Sequence, residues 1–279
     1  MSANADQQEF WTNTVGADWV ALQAVMDASF QPVLDLVLES AGLAPRQSVL
    51  DIGCGAGTST VQSADLVGAQ GRVLGADISQ TLLDRANLLA QDRAHVQFVL
   101  ADAQTHAFER QAFDHMISRF GVMFFDDSTA AFVNIARALR PGAKITMACW
   151  GPAPDNPWFM LPAQEAQAHL GKPPKADRSL PGPFAFEDQG RVIALLQAAG
   201  LREVTATTHH ILLTPPGDAE AFADQQSVIG PVNGIIAHFN GSDADRAAIR
   251  ARIIVACARF ETPQGLRVPA NINLFEARA

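Results

Sequence analysis

The sequence predicts an α/β protein built on a mostly parallel sheet. Three observations carry this. Short apolar runs of strand length alternate with helical runs between residues 48 and 150. A glycine cluster, Gly53, Gly55 and Gly57, joins the first strand to the helix after it. Acidic residues then recur at three successive strand ends: Asp51, Asp77 and Asp102.

Taken in order, Trp19, Leu22, Val25, Met26, Phe30, Val33, Leu36 and Val37 recur at helical spacing and predict a helix over 9–41. Pro45 interrupts, and SVLDI at 48–52 reads as a short buried strand. The glycine turn leads into a helix over 58–67, with Thr or Ser expected as its cap. Strands at 72–76 and 96–100 flank a helix over 79–90 whose N-cap is Ser79. A fourth strand covers 113–118, and a helix over 128–139 stops at Pro141-Gly142. KITMACW at 144–150 is the fifth strand. Such alternation implies parallel strands covered on both faces.

The rhythm then breaks. Residues 151–186 carry Pro152, Pro154, Pro157, Pro162, Pro173, Pro174, Pro181 and Pro183, a density that predicts an irregular insertion. A helix over 188–199 and a strand over 204–213 resume the pattern. A second, helical insertion spans 217–261, and 266–277 alternates like a last strand. The chain thus reads as one domain. Its core covers about 30–150, 187–215 and 265–279, and 151–186 and 217–261 are insertions.

Composition narrows the function. The 279 residues are 48% hydrophobic and carry a formal net charge of −9 with no basic cluster. Such a surface repels phosphate backbones and anionic lipids, so neither nucleic acid nor a membrane is an expected partner. Cys54, Cys149 and Cys257 are odd in number and far apart, which predicts no disulfide or zinc site and a cytoplasmic location. The first residues, MSANADQQEF, lack the basic and apolar regions of a signal peptide.

The chemistry concentrates in Val49-Leu50-Asp51-Ile52-Gly53-Cys54-Gly55-Ala56-Gly57-Thr58. Glycine lets the backbone turn tightly and approach a ligand, and the helix beyond offers free N–H groups. Two ligand classes use such a turn. A dinucleotide favours G-x-G-x-x-G, but position six here is Thr58. Asp51 suits an ammonium better than a pyrophosphate. Asp77 can accept from both hydroxyls of a ribose in either class. Asp102 could accept from an adenine amino group while the Ala103 N–H donates to the ring, which points away from dehydrogenases.

Together VLDIGCGAG, GADIS, LADA, FDHMISRFGVMFF and ALRPGAKITMACW resemble, in order and spacing, the class I S-adenosylmethionine-dependent methyltransferases. Their ubiquinone- and menaquinone-biosynthesis-like small-molecule branch is the nearest in look. The resemblance covers about residues 9–150 well and the last strands loosely. It implies a Rossmann-like, doubly wound sheet of seven strands, the last antiparallel, with S-adenosylmethionine as cofactor. Asp51, Gly53 and Gly55 would line the methionine half, with Cys54 and Thr58 in the same turn. Asp77 would hold the ribose, Ile78 would pack on the adenine, and Asp102 and Ala103 would read its edge. Ser118 and Arg119 would flank the sulfonium. The two insertions fall where that branch carries its lid, whose apolar residues would include Phe184, Phe186, Phe222, Ile229, Ile235, Ile236 and Phe239.

The expected activity is methyl transfer to a small, partly hydrophobic molecule, with the methylated atom open. A non-catalytic cofactor-binding protein and an NAD(P)-dependent oxidoreductase are the alternatives. No metal is expected and no base is assigned by the motifs. His238, on the second insertion, is the first candidate base. Trp11 and Trp19 are either core staples or part of a helix closing over the cofactor. The adjacent His209 and His210 face opposite sides of a strand, and one is expected in the core.

Overall fold

The computed structural model describes residues 3–175 and 177–279. It opens with α1 (Ala5–Glu9), a π-helical turn (Phe10–Thr14), α2 (Gly16–Ala21) and α3 (Gln23–Ala41). There follow β1 (Ser48–Ile52), α4 (Thr58–Val67), β2 (Arg72–Asp77), α5 (Gln80–Leu89), β3 (Val96–Leu100) and β4 (Phe113–Arg119). Next come α6 (Ser128–Ala138), β5 (Leu139–Trp150), α7 (Pro157–Leu170), α8 (Gln189–Ala198) and β6 (Arg202–Leu213). The chain ends with α9 (Ala219–Gln226), α10 (Pro231–His238), α11 (Asp243–Cys257), a small hairpin of β7 (Glu261–Thr262) and β8 (Gly265–Leu266), and β9 (Val268–Arg278).

Seven strands form one sheet in the order β3-β2-β1-β4-β5-β9-β6. The first five are parallel, and β9 runs antiparallel to both β5 and β6. The expected Rossmann-like architecture with an antiparallel last strand is therefore the observed one. Central strands are apolar on both faces: Val49, Leu50, Ile52, Met116, Ile117, Ile145 and Met147 are buried. β6 is an edge strand and mostly exposed. His210 is exposed and His209 half-buried, so neither is a core histidine; the buried one is His115.

Three local expectations need correction. The single helix over 9–41 is broken near residues 15 and 22. The chain folds back closely there: a side chain at Gly16 would collide with the Trp11 carbonyl. α4 begins at the predicted residue, but its N-cap is Gly57 in the left-handed region, with no side-chain cap. Thr58 is instead turned to a partner on α3. β5 starts at Leu139, well before Lys144, so Pro141-Gly142 lies within the strand. A register shift between Phe113 and His115 absorbs the irregularity. Ser79 caps α5 as expected, its hydroxyl accepting from the Leu82 N–H.

Candidate functional site

All five parallel strands end on one edge, and the site is built there. The turn after β1 is tied to β2, because the Gly53 and Cys54 N–H groups both donate to the Ala76 carbonyl. The three glycines serve different ends. A Cβ at Gly53 would lie 2.5 Å from the Gly121 Cα, so two loops touch backbone to backbone there. A Cβ at Gly57 would lie 2.9 Å from the Ala86 Cβ, against α5. Gly55 has nothing within 4 Å of that position, yet it too has a positive φ, at 55°. It alone of the three faces open space. Cys54 is buried beside it, and burial raises its thiol well above the ordinary value. It is packing, not a nucleophile.

The strand-end carboxylates differ in how fully they are engaged. Asp51 has no exposure, and its Oδ2 accepts from Ser59 and Thr60 hydroxyls at 2.6 Å each. Its Oδ1 has no partner among the described residues. Burial raises its carboxyl from 3.8 to about 6, against the two hydroxyls and the Arg119 guanidinium. Asp77 accepts from the Gly55 N–H at 2.8 Å and the Ser79 N–H at 2.9 Å, one on each oxygen. Burial again raises its carboxyl, and those two backbone donors oppose the rise. Asp102 accepts from Asn4 and the Gln104 N–H on Oδ1 and from Thr105 on Oδ2. Ile78 beside Asp77 is half-buried. Ala103 is buried, and its carbonyl accepts from Asn134.

Past β4, Ser118 is spent internally: its hydroxyl donates to the Ile52 carbonyl at 2.7 Å and accepts from the Gly121 N–H. It shapes the turn and leaves no free donor. Arg119 is different. Its Nη2 meets Asp27 on α3 at 3.1 Å, while its Nη1 is buried without a partner among the described residues. The other Asp27 oxygen takes the Thr58 hydroxyl at 2.6 Å. Asp27 thus joins α3, the start of α4 and the end of β4. Nothing in its spacing marks it in the sequence.

The N-terminal segment lies across the ends of β2, β3 and β4. Ser79 and Thr81 hydroxyls donate to the Trp11 and Thr12 carbonyls. Asn4 donates to Asp102 and Gln104 and accepts from the Asp126 N–H at 2.7 Å. Trp11 sits edge-on between Trp19 and Phe124. Trp11 and Trp19 therefore belong to a cover over the second and third strand ends. Asn4 carried no sequence signal, since its role depends on contacts about a hundred residues away.

Beyond Arg119, Phe120 is held at φ 66° and stacks flat on Trp150 with centroids 4.4 Å apart. Phe30 meets Trp150 edge to face, Trp158 lies tilted against Phe30, and Phe222 meets Trp158 edge to face. Phe159 and Phe184 form the half-buried margin of this cluster. Ile229 and Phe239 are partly buried, and Ile235 and Ile236 buried. Phe186 departs from the expected set by packing on Phe132 and Phe275. α7 packs on α10 and α11, so the two insertions touch each other. His238 is exposed on the outer side of α10, and the structure does not bring it to the site. Among the described residues no cluster could hold a metal ion, and no helix is long and apolar enough to cross a membrane.

Residues 49–142 match the methyltransferase domain family. The chain is 28% identical to the nocamycin O-methyltransferase of Saccharothrix syringae, over 84% of this chain and 87% of that one. It is 33% identical to the ubiquinone/menaquinone biosynthesis C-methyltransferase of Shewanella piezotolerans, over 39% of this chain and 44% of that protein. Among solved structures, Haemonchus contortus phosphoethanolamine N-methyltransferase 2 in complex with S-adenosyl-L-methionine superposes with a TM-score of 0.60 at 17% identity. That overlap covers 97% of this chain and 59% of the other, and it concerns the fold alone.

Proposed function

We propose that the chain is a class I S-adenosylmethionine-dependent methyltransferase, on the premise of the methyltransferase domain matched over residues 49–142, and that its residues hold the cofactor and select what is methylated as follows. The residues present fit the group. Two buried atoms of opposite charge, Asp51 Oδ1 and Arg119 Nη1, without partners among the described residues, carry the reading. They match the ammonium and carboxylate of an amino acid. Gly55 supplies the open backbone cradle between them and Asp77. Asp77 keeps free lone pairs for ribose hydroxyls, because each of its oxygens takes one backbone donor. Ile78, Asp102 and Ala103 would bound the adenine, with Asp102 offering only the capacity that Asn4, Gln104 and Thr105 leave.

When bound, S-adenosylmethionine supplies a methyl group on a positively charged sulfur, which leaves as a neutral thioether when an acceptor atom takes the methyl. The protein's share is alignment and exclusion of water. The aromatic cluster beginning at Phe120 supports a small, partly hydrophobic acceptor, and the net charge of −9 favours it over nucleic acid. The cluster contains no ionisable side chain, so the reading needs an acceptor atom that is nucleophilic without a protein base. We read 151–186 and 217–261 as its lid. The three cysteines are free and buried, which supports a cytoplasmic location.

Calorimetry tests the cofactor reading. S-adenosylhomocysteine should bind tightly, 5′-methylthioadenosine, which lacks the amino-acid end, more weakly, and NAD not at all. Arg119→Ala should close the gap between the first two by weakening only S-adenosylhomocysteine, by roughly tenfold or more. Equal affinity of the wild type for both ligands would place the amino-acid end elsewhere.

A further inference from the structure

We propose that Asn4 is an internal stand-in for the cofactor's adenine: its amide occupies Asp102 until the adenine displaces it, and residues 4–9 then turn away from the third strand end. The inference rests on the cofactor reading and adds to it a gate that the chain carries in its own N-terminal segment.

The Asn4 side chain is not used where its position would place it. The residue stands at the N-cap of α1, where an asparagine oxygen ordinarily accepts from its own helix, yet no such bond is made. The amide reaches instead to residues about a hundred positions away. Nδ2 donates to Asp102 Oδ1 at 2.9 Å and to Gln104 Oε1 at 3.0 Å. Oδ1 accepts from the Asp126 N–H at 2.7 Å. Asn4 is 7% exposed. Its φ of 56° lies in the left-handed region, which asparagine tolerates better than most residues.

The pattern is the one this strand end is read to bind. Adenine presents an amino group with two hydrogens beside a ring nitrogen that accepts. The carboxamide of Asn4 likewise presents two donor hydrogens beside an acceptor. Asp102 Oδ1 takes Asn4 and the Gln104 N–H, and Oδ2 takes Thr105 at 3.1 Å. Gln104 and Thr105 belong to the same turn as Asp102, whereas Asn4 comes from outside it. A ligand can therefore replace Asn4 without unmaking the turn, and the two compete for one acceptor.

The segment can leave at low cost. No residue of α1 or of the π-helical turn is buried. The attachments lie at its two ends. Asn4 holds the first. At the second, Ser79 and Thr81 hydroxyls donate to the Trp11 and Thr12 carbonyls, and the Trp11 ring sits between Trp19 and Phe124. Swinging residues 4–9 about the Trp11 anchor breaks the hydrogen bonds of one amide and exposes little apolar surface. Such an opening belongs to the low end of local unfolding free energies.

Calorimetry with S-adenosylhomocysteine and with adenosine, on the full-length protein and two variants, tests the gate. Asn4→Gly keeps the left-handed backbone and drops the amide. Asn4→Asp keeps the shape and sets a second carboxylate against Asp102. An internal competitor lowers apparent affinity in proportion to the fraction of molecules it leaves open. Both variants should therefore bind both ligands about tenfold more tightly than the wild type. Hydrogen exchange gives a second readout: S-adenosylhomocysteine should speed exchange in residues 5–9 of the wild type. An amide that merely covers a bound cofactor predicts the reverse in both measurements. The proposal is overturned if the variants bind as the wild type does or more weakly, or if exchange in residues 5–9 is unchanged or slowed. Failure of the wild type and both variants alike to bind S-adenosylhomocysteine would instead sink the cofactor reading.

Discussion

Asp51 lies beneath the glycine turn, where burial raises its carboxyl from 3.8 to about 6 against the pull of Ser59, Thr60 and Arg119. The folded-state value is the higher one, so the folded protein binds this proton more tightly than the unfolded chain does. Stability from this group is full below pH 3.8 and is lost as pH rises to about 6. At neutral pH the ionised carboxylate costs the fold up to roughly 3 kcal/mol. A cofactor ammonium at the free Oδ1 would offset that cost, so affinity should depend on Asp51 being ionised. S-adenosylhomocysteine binding is therefore expected to weaken as pH falls below about 6. Asp51→Asn should bind roughly tenfold more weakly near neutral pH and lose that dependence. The melting temperature of the variant relative to wild type should rise with pH through the same window. Calorimetric titration and scanning at several pH values check both, and an unchanged pH profile in the variant would assign the titration to another group. The sequence showed Asp51 as a strand-end acid; its unpartnered oxygen is a fact of packing around Ser59 and Thr60, which spacing alone does not disclose.

The glycine turn shows what a motif can and cannot say at the scale of an element. GCGAG in a strand–turn–helix setting was legible, and α4 and α5 start where the sequence places them. What each glycine is for was not, because Gly53 answers to Gly121 and Gly57 to Ala86, both distant in the chain. The same limit explains β5, whose early start depends on pairing with Phe113, and the broken helix near Gly16, which depends on Trp11 and Thr81. The division of labour gives a contrast. Gly55→Ala meets open space and suffers only the left-handed backbone, a cost of about 1–2 kcal/mol. It should remain folded and lose cofactor affinity. Gly53→Ala adds a backbone collision to the same strain and should lose roughly 3–5 kcal/mol of stability. Chemical denaturation read beside S-adenosylhomocysteine titration separates the two. Equal stability of the two variants would mean that the contact between Gly53 and Gly121 yields without cost.

Across the whole molecule, α3 joins what the sheet edge keeps apart. Within one helical turn it offers Met26 to Gln225 of α9, Asp27 to Arg119 and Thr58, and Phe30 to the aromatic cluster. The alternation of strands and helices was plain in the sequence, but this convergence was not, since its partners lie 31 to 199 residues away. The two insertions are also clasped to each other. His169 on α7 meets Asp245 on α11, and Arg252 on α11 meets Glu165 on α7, at 2.8 Å each. These pairs are partly exposed and individually weak, but they lie beside packed helices. Ordering of Arg119 by a cofactor carboxylate should steady Asp27, then α3, and through Met26 the helices of the second insertion. Because α7 is packed on α10 and α11, the first insertion should follow. Hydrogen exchange with and without S-adenosylhomocysteine is therefore expected to slow in both 157–170 and 219–257, as well as in the glycine turn. Asp27→Asn should keep protection at the turn and lose it in both insertions, because the guanidinium would no longer be held to α3. Protection confined to residues 49–120 in the wild type would show that the insertions do not respond to the cofactor as one lid.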